Sequence, residues 1–180
     1  ITIFGGVVGL KLVCNVIGIE ILWLWYFGSI FAVLGAIYTA FLFNQAKARD
    51  FWLTPLQSAI HMLVHAIMAG SVGLILIEPK SIYFMSEIIF FSLLINLLIF
   101  FKEIVFHHDT PDTKRTIELI TKGYFSKYFW VGIVIGNIIP IFLLVSQNEM
   151  LILISSPLLI LGIFLTEFVR IRVPQMIPLS

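Results

Sequence analysis

The sequence predicts an all-α, polytopic membrane protein, with about five transmembrane helices and part of a further helix before them. Five apolar runs are separated by short polar joints, and each is near the ~20 residues that a helix needs to cross a ~30 Å hydrocarbon core. The runs are continuously apolar, which argues against strands, since an open sheet leaves backbone groups unsatisfied in lipid. A mean hydropathy of +1.07 with 60% apolar residues exceeds what a soluble domain of this size buries.

The first residues are apolar and lack the charged segment that opens a signal peptide. We expect the sequence to be the C-terminal part of a longer polypeptide, in which Ile1–Leu10 completes a helix and Lys11–Glu20 is an outer joint. Residues 1–20 are then a partial span with its joint, and residues 21–180 are the bundle. In the alternative, Ile1–Ile19 is a full span with Lys11 near its centre, which costs at least about 2.5–3.5 kcal/mol.

The runs that follow are the predicted spans: Ile21–Phe43, Leu53–Ile77, Ile82–Phe106, Tyr128–Val145 and Leu151–Val169. Nine of the eleven Lys and Arg residues lie on alternate joints, and only Lys11 and Lys80 do not. Basic residues accumulate in cytoplasmic joints, so we expect those joints and the C-terminus, with Arg170 and Arg172, on the cytoplasmic side. The opposite joints are acidic, and Trp23, Trp25, Tyr26 and Tyr83 suit an aromatic belt at the outer surface.

The joint His107–Lys127 is predicted to contain a short helix at about residues 111–122. Thr110 is typical of an N-cap, Pro111 of a first helical position and Gly123 of a helix end. Its apolar residues recur on one face, so we expect the helix to lie flat at the cytoplasmic headgroups as an anchor.

Charge and cysteine content exclude several functions. A net charge of +1 offers no surface for nucleic acid, and the single Cys14 excludes an internal disulfide or a cluster held by four thiolates of this chain. His61 and His65 lie four residues apart on one helix, whereas a bis-histidine haem needs ligands from opposing helices. We therefore expect no haem or metal bound by this chain alone.

Three segments carry a family signature, and they are Leu34–Gly70 (LGAIYTAFLFNQAKARDFWLTPLQSAIHMLVHAIMAG), Thr121–Leu144 (TKGYFSKYFWVGIVIGNIIPIFLL) and Val169–Ser180 (VRIRVPQMIPLS). They contain, in order, a YTG-like step with a QAKAR turn, a G-Y-x(4)-FW-x-G-x(3)-G-x(3)-P pattern and a closing Q-x-x-P. The sequence resembles the C-terminal portion of the NrfD and polysulfide-reductase membrane-subunit family. It departs at Ala40, where many members carry Gly, and at Val173–Pro174, which replaces Ala–Gly.

The resemblance implies a protein with eight or more transmembrane helices and no haem, in a bacterial or archaeal cell membrane. Members lie beneath an iron–sulfur subunit and usually a molybdenum-containing or multihaem catalytic subunit. They exchange electrons with membrane quinone, mainly at a pocket in the N-terminal four-helix bundle. The same fold serves the quinol-oxidising alternative complex III, for which a proton route through the bundle has been proposed. A transporter or channel without a redox partner, and a purely structural half-bundle, are the alternatives.

Polar side chains inside the apolar runs are the candidate site, because ionisable groups in lipid are costly and normally face the protein interior. Gln57, His61 and His65 recur every four residues and share one helix face. We expect a proton path from the outer surface to the cytoplasm through Glu87, His65, Asn96, Asn137, His61, Glu103 and Glu167. Histidine exchanges protons near neutral pH. In the alternative, these groups only hydrogen-bond between helices, at ~0.6–2 kcal/mol each.

Aromatic residues near the outer end of the first run are the candidates for quinone contact. Tyr26 and Trp23 lie beside Trp25 and Asn15, and the motif tyrosine Tyr38 is a further candidate. Aromatic walls with a few polar groups suit a quinone ring and its carbonyls. The alternative for Trp23 and Tyr26 is the interfacial belt.

Overall fold

A computed structural model describes residues 2–44, 55–106 and 110–176 of the protein. The helices are α1 Thr2–Ile17, α2 Trp23–Asn44, α3 Pro55–Ile77, α4 Ile82–Val105, α5 Pro111–Lys122, α6 Ser126–Ile133, α7 Ile139–Val145 and α8 Glu149–Arg172. Among these residues, five helical segments are long and apolar enough to cross a membrane, which confirms the predicted polytopic bundle. Lys47, Arg49 and the rest of the QAKAR turn, Trp52, His107 and His108 lie outside the described residues.

α1 extends beyond the apolar stretch that suggested it, because it continues through Lys11 to Ile17. The joint therefore begins at Gly18 and not at Lys11 as expected. The residues from Lys11 to Ile17 contain no helix-stopping signal, whereas Gly18 adopts a φ of +79°, which glycine accepts without steric cost. The Lys11 ammonium lies 4.8 Å from the centre of the Trp25 ring, and this cation–π contact links α1 to α2.

Short connections make α3 and α4, and likewise α7 and α8, antiparallel neighbours. α3 and α4 are joined by a single 3₁₀ turn at Pro79–Ser81, and α8 begins at Glu149 directly after the turn that follows α7. We call the end where α3 and α6 begin and α4 and α8 end the basic end. An apolar core that includes Met68, Leu93 and Ile152 fills the other half of the bundle.

The fourth span is one continuous segment in which a π-helical stretch, Val134–Ile138, separates α6 from α7. The Ile139 N–H donates to the Val134 carbonyl, five residues earlier. A proline ring collides with the carbonyl four residues before it, and the wider π turn ahead of Pro140 relieves that collision. The stretch also turns Asn137 into the interior, where the residue is 2% exposed.

The fourth and fifth spans touch through glycine backbones. A Cβ added at Gly136 would lie 2.2 Å from the Gly162 Cα atom, and one added at Gly132 would lie 3.0 Å from Thr166 Cγ2. Glycines four residues apart allow close backbone approach, and the pair Gly132 and Gly136 makes one with α8 as its partner. At Gly70 and Gly73 an added Cβ meets nothing within 4 Å among the described residues, so no close approach is made there.

α5 forms over Pro111–Lys122, and its cap is the predicted one. The Thr110 hydroxyl accepts a hydrogen bond from the Thr113 N–H at 3.2 Å. Ile117 and Ile120 are buried, and Ile120 packs with Phe100 and Phe129 at the basic end. The apolar face of α5 therefore covers the bundle, and its position at the lipid headgroups stays a prediction.

Candidate functional site

Buried polar side chains from four spans meet in the basic half of the bundle. The first group, called the histidine cluster below, consists of His61, His65, Asn96, Asn137 and Glu167. The second, called the ion-pair group, consists of Gln57, Glu103 and Arg170. Six of the seven residues predicted for a proton path belong to these groups.

Asn96 contacts three other members of the histidine cluster. Its Oδ1 atom lies 2.9 Å from His61 Nε2 and 3.2 Å from His65 Nε2. Its Nδ2 atom donates to Asn137 Oδ1 at 2.7 Å. The two histidines share one face of α3 because they are four residues apart, and the π stretch supplies Asn137 from the fourth span.

Glu167 of α8 faces the other side of both imidazole rings. Its Oε1 atom lies 3.1 Å from His65 Nδ1 and 3.6 Å from His61 Nδ1. His61 is fully buried, His65 is 6% exposed, and the Glu167 side chain is 18% exposed. Two imidazoles and a carboxylate in direct contact can exchange protons with little movement.

The ion-pair group lies closer to the basic end, by about one helical turn on α3 and α8 and about two turns on α4. Arg170 Nη1 donates to Glu103 Oε2 at 3.0 Å, and Arg170 Nη2 lies 2.9 Å from Glu103 Oε1, which is the two-pronged geometry of a strong Arg–carboxylate pair. Gln57 Nε2 donates to Glu103 Oε1 at 3.1 Å.

Arg170 is the residue that sequence reasoning missed. We interpreted it as a cytoplasmic topology marker, yet it is only 6% exposed and lies inside the bundle. Its spacing of three residues from Glu167 on α8 was the available signal, since residues three apart share a helix face.

Glu87 does not join either group. It is exposed on α4 and lines an open groove of about 460 Å³ with Phe90, Phe91 and Leu144. The spacing explains this: nine residues, or 2.5 turns, separate it from Asn96 and place it on the opposite face of α4. Buried apolar side chains fill the layer between, among them Met68, Ile89 and Leu93.

Buried serines in that layer hydrogen-bond within their own helices. Ser86 Oγ donates to the Tyr83 carbonyl at 2.7 Å, and Ser155 Oγ donates to the Ile152 carbonyl at 2.6 Å. Among the described residues, the polar contacts therefore extend from the basic end to the middle of the bundle and stop there.

The residues predicted to contact quinone are not brought together. Trp23, Tyr26 and Tyr38 are 58%, 75% and 46% exposed on α2, and twelve residues, about 18 Å of helix, separate the two tyrosines. A groove of about 710 Å³ between α1 and α2 is lined instead by apolar side chains with Lys11, Asn15 and Trp25. The quinone-binding roles of Trp23, Tyr26 and Tyr38 stay predictions.

The fold and this site define the protein as a multi-pass membrane protein with a polar cluster buried between its spans. Residues 6–178 match the family described as "Polysulphide reductase, NrfD", and the chain belongs to that family. The resemblance seen in the sequence is thereby confirmed. The family consists of membrane subunits of polysulfide reductase-type complexes, so the chain is a membrane-anchor redox subunit. No curated protein and no solved structure matches the chain.

Proposed function

We propose that this chain is the quinone-reactive membrane subunit of an iron–sulfur oxidoreductase and that its polar groups carry protons between the basic end and the middle of the membrane. Membership of the family supports the redox role. The expected partners are an iron–sulfur subunit and a molybdenum-containing or multihaem catalytic subunit, with quinone or quinol as the substrate.

The observation that carries the proton part is the direct contact of His61, His65 and Glu167 deep in the bundle. Helices in a membrane can be held together by amide and hydroxyl groups alone. Ionisable groups are more costly in lipid and are typical of proton relays. A purely structural network has no need of two imidazoles and a carboxylate at one point, so the composition of the cluster favours proton transfer.

The position of the histidine cluster and the ion-pair group favours a proton path across half of the membrane, called the half-path below, over a path across the whole membrane. Glu103, Arg170 and Gln57 lie between the basic end and the histidine cluster, about one turn from it on α3 and α8 and about two turns from Asn96 on α4. Apolar residues fill the other half of the bundle. Protons that enter from the basic end would therefore reach the middle of the membrane through this chain.

Replacing His65 with Phe is expected to lower the rate of proton uptake during quinone turnover by about a hundredfold or more, the usual scale for losing a group that transfers protons. Phenylalanine keeps a ring of similar size but removes the contacts to Asn96 and Glu167. The measurement uses the intact complex in vesicles with a pH-sensitive dye.

Two further carboxylate variants sharpen that assay. Glu118→Gln changes an exposed residue of α5 and serves as the control. Glu87→Gln distinguishes the half-path, which predicts normal uptake, from the complete path predicted by the sequence. Equal uptake by the native protein and a folded His65→Phe variant would leave the cluster with a structural role only.

A transporter or channel without a redox partner is the competing function, and co-purification separates the two. From native membranes in a mild detergent, the tagged full-length protein is expected to purify with a subunit that contains iron and acid-labile sulfide. Quinone analogues should then inhibit electron transfer by that complex. Isolation of the protein alone, with no iron in the preparation, would contradict the proposed function.

A further inference from the structure

We infer that the histidine cluster holds one resident proton, located between His65 Nδ1 and Glu167 Oε1, in the resting protein. The role of this proton in conduction rests on the proposed function. Its presence follows from the hydrogen-bond donors and acceptors of the cluster.

The first step is the orientation of Asn96. Its Nδ2 atom donates to Asn137 Oδ1 at 2.7 Å, so its Oδ1 atom faces the imidazoles. An amide oxygen only accepts hydrogen bonds. His61 Nε2 and His65 Nε2 must therefore both carry hydrogen in order to donate to it. In a neutral imidazole this leaves Nδ1 as a bare acceptor.

The second step is what those Nδ1 atoms meet. His61 Nδ1, His65 Nδ1 and Glu167 Oε1 are buried, and no hydrogen-bond donor among the described residues reaches them. His65 Nδ1 and Glu167 Oε1 are 3.1 Å apart, which is hydrogen-bond distance and leaves no room for a water between them. Two acceptors at this distance repel each other, and a proton between them turns the repulsion into a hydrogen bond.

The third step is the charge of the site. The charged and titratable groups that face it are His61 and His65 from α3, Glu103 from α4, and Glu167 and Arg170 from α8. The fourth span contributes Asn137, which is uncharged. Arg170 and Glu103 neutralise each other, and Glu167 alone would leave one negative charge in the low-dielectric interior. One added proton makes the whole assembly neutral, which is the state that a membrane interior favours.

A resident proton changes how the proposed half-path operates. A proton that arrives from the ion-pair group meets a site that is already occupied, so the second proton gives the assembly a net positive charge. Release of one proton restores neutrality. Uptake and release are thereby coupled at a single point, with no movement of the helices.

The test is histidine ¹⁵N solid-state NMR on the full-length protein in bilayers, purified with whatever subunits accompany it. All samples carry His107→Gln and His108→Gln, and the signals of His61 and His65 are assigned by difference against samples that also carry His61→Gln or His65→Gln. Spectra are recorded at about pH 8, well above the ordinary titration range of imidazole near 6.5. Infrared difference spectra against Glu167→Gln report the protonation of that carboxyl group.

The expected result is hydrogen on both Nε2 atoms and one additional proton, seen as an imidazolium signal or as a protonated Glu167. Glu167→Gln should remove the additional proton, because its amide can donate to His65 Nδ1 directly. If that variant does not fold, His65→Gln should leave the additional proton on Glu167, because the assembly still needs one positive charge for neutrality, and the infrared band of the protonated carboxyl group reports it. The control Glu149→Gln changes an exposed carboxylate and should leave the spectra unchanged.

Two results would overturn the inference. One is a pair of neutral imidazoles with hydrogen on Nδ1 beside an ionised Glu167, which means that the Asn96 amide is reversed. The other is one equivalent of bound metal, found by elemental analysis and lost in His65→Gln, which means that a metal ion occupies the place of the proton. The NMR result is independent of proton uptake in vesicles, so failure of the inference and failure of the proposed function are distinguishable.

Discussion

Gly136→Ala is expected to destabilise the protein by about 3 kcal/mol or more, which is the upper end of the range for overpacking. The added Cβ atom would lie 2.2 Å from the Gly162 Cα atom, and 3.0 and 3.1 Å from the backbone C and N atoms of Gly162. Backbone atoms cannot rotate away as a side chain can, so α8 must separate from the fourth span. That movement displaces Glu167, five residues beyond Gly162, from the two histidines.

Gly70→Ala is the matched control for this variant. Gly70 also lies inside a membrane-spanning helix, but a Cβ there meets nothing within 4 Å. Alanine is the better helix former by about 1 kcal/mol, so this change is expected to be neutral or mildly stabilising. Thermal unfolding in detergent, followed by the monodisperse fraction on size-exclusion chromatography, measures both variants. Equal midpoints for the two would show that the glycine contact does not set the packing of α8.

Arg170→Leu is expected to destabilise the protein by about 3–5 kcal/mol, the usual cost of removing one partner of a buried ion pair. Arg170 is 6% exposed, and the side chain of Glu103 is 12% exposed. The two-pronged contact between these residues joins α8 to α4. Without the guanidinium, the amide of Gln57 is the donor that the described residues still offer to the Glu103 carboxylate. A charged carboxylate without its ion-pair partner is costly at that depth. This cost would favour separation of α8 from α4.

Arg172→Leu is the control, because Arg172 is an exposed residue near the same helix end and should change stability by no more than about 0.5 kcal/mol. The double variant Arg170→Leu/Glu103→Leu should recover much of the loss, since replacing both charges with apolar groups is often neutral. Arg170→Lys keeps the charge but cannot make the two-pronged contact with Glu103, so an intermediate loss of stability is expected. Unfolding midpoints in detergent give all four values, and similar losses for Arg170→Leu and Arg172→Leu would contradict the buried pair.

Much of the architecture followed from local rules that act on short segments. The spans, the Thr110 cap of α5 and the close approach at Gly132 and Gly136 each depend on a few neighbouring residues. Spacing on one helix also grouped Gln57, His61 and His65 correctly, because positions four apart share a face.

Contacts between helices were predictable only in part. Six residues of the expected proton path do meet, but Glu87 does not, and its nine-residue offset from Asn96 already indicated the opposite face of α4. Arg170 has the sequence position of a topology marker, and its three-residue spacing from Glu167 is the local feature that distinguishes it from the exposed Arg172. Its burial depends on how far α8 is rotated and how closely it packs, which the contact of Gly162 with Gly136 determines.

By itself the sequence determined that the described residues contain five segments long and apolar enough to cross a membrane and where each segment lies, because lipid imposes a length and a hydropathy on every span separately. Only the tertiary structure decided that Asn96 faces both histidines, that Asn137 is turned inward by a π stretch and that Arg170 neutralises Glu103. Those contacts depend on the rotation and depth of four helices relative to one another. Rotation and depth result from the packing of all four helices together, and no single segment of sequence encodes them.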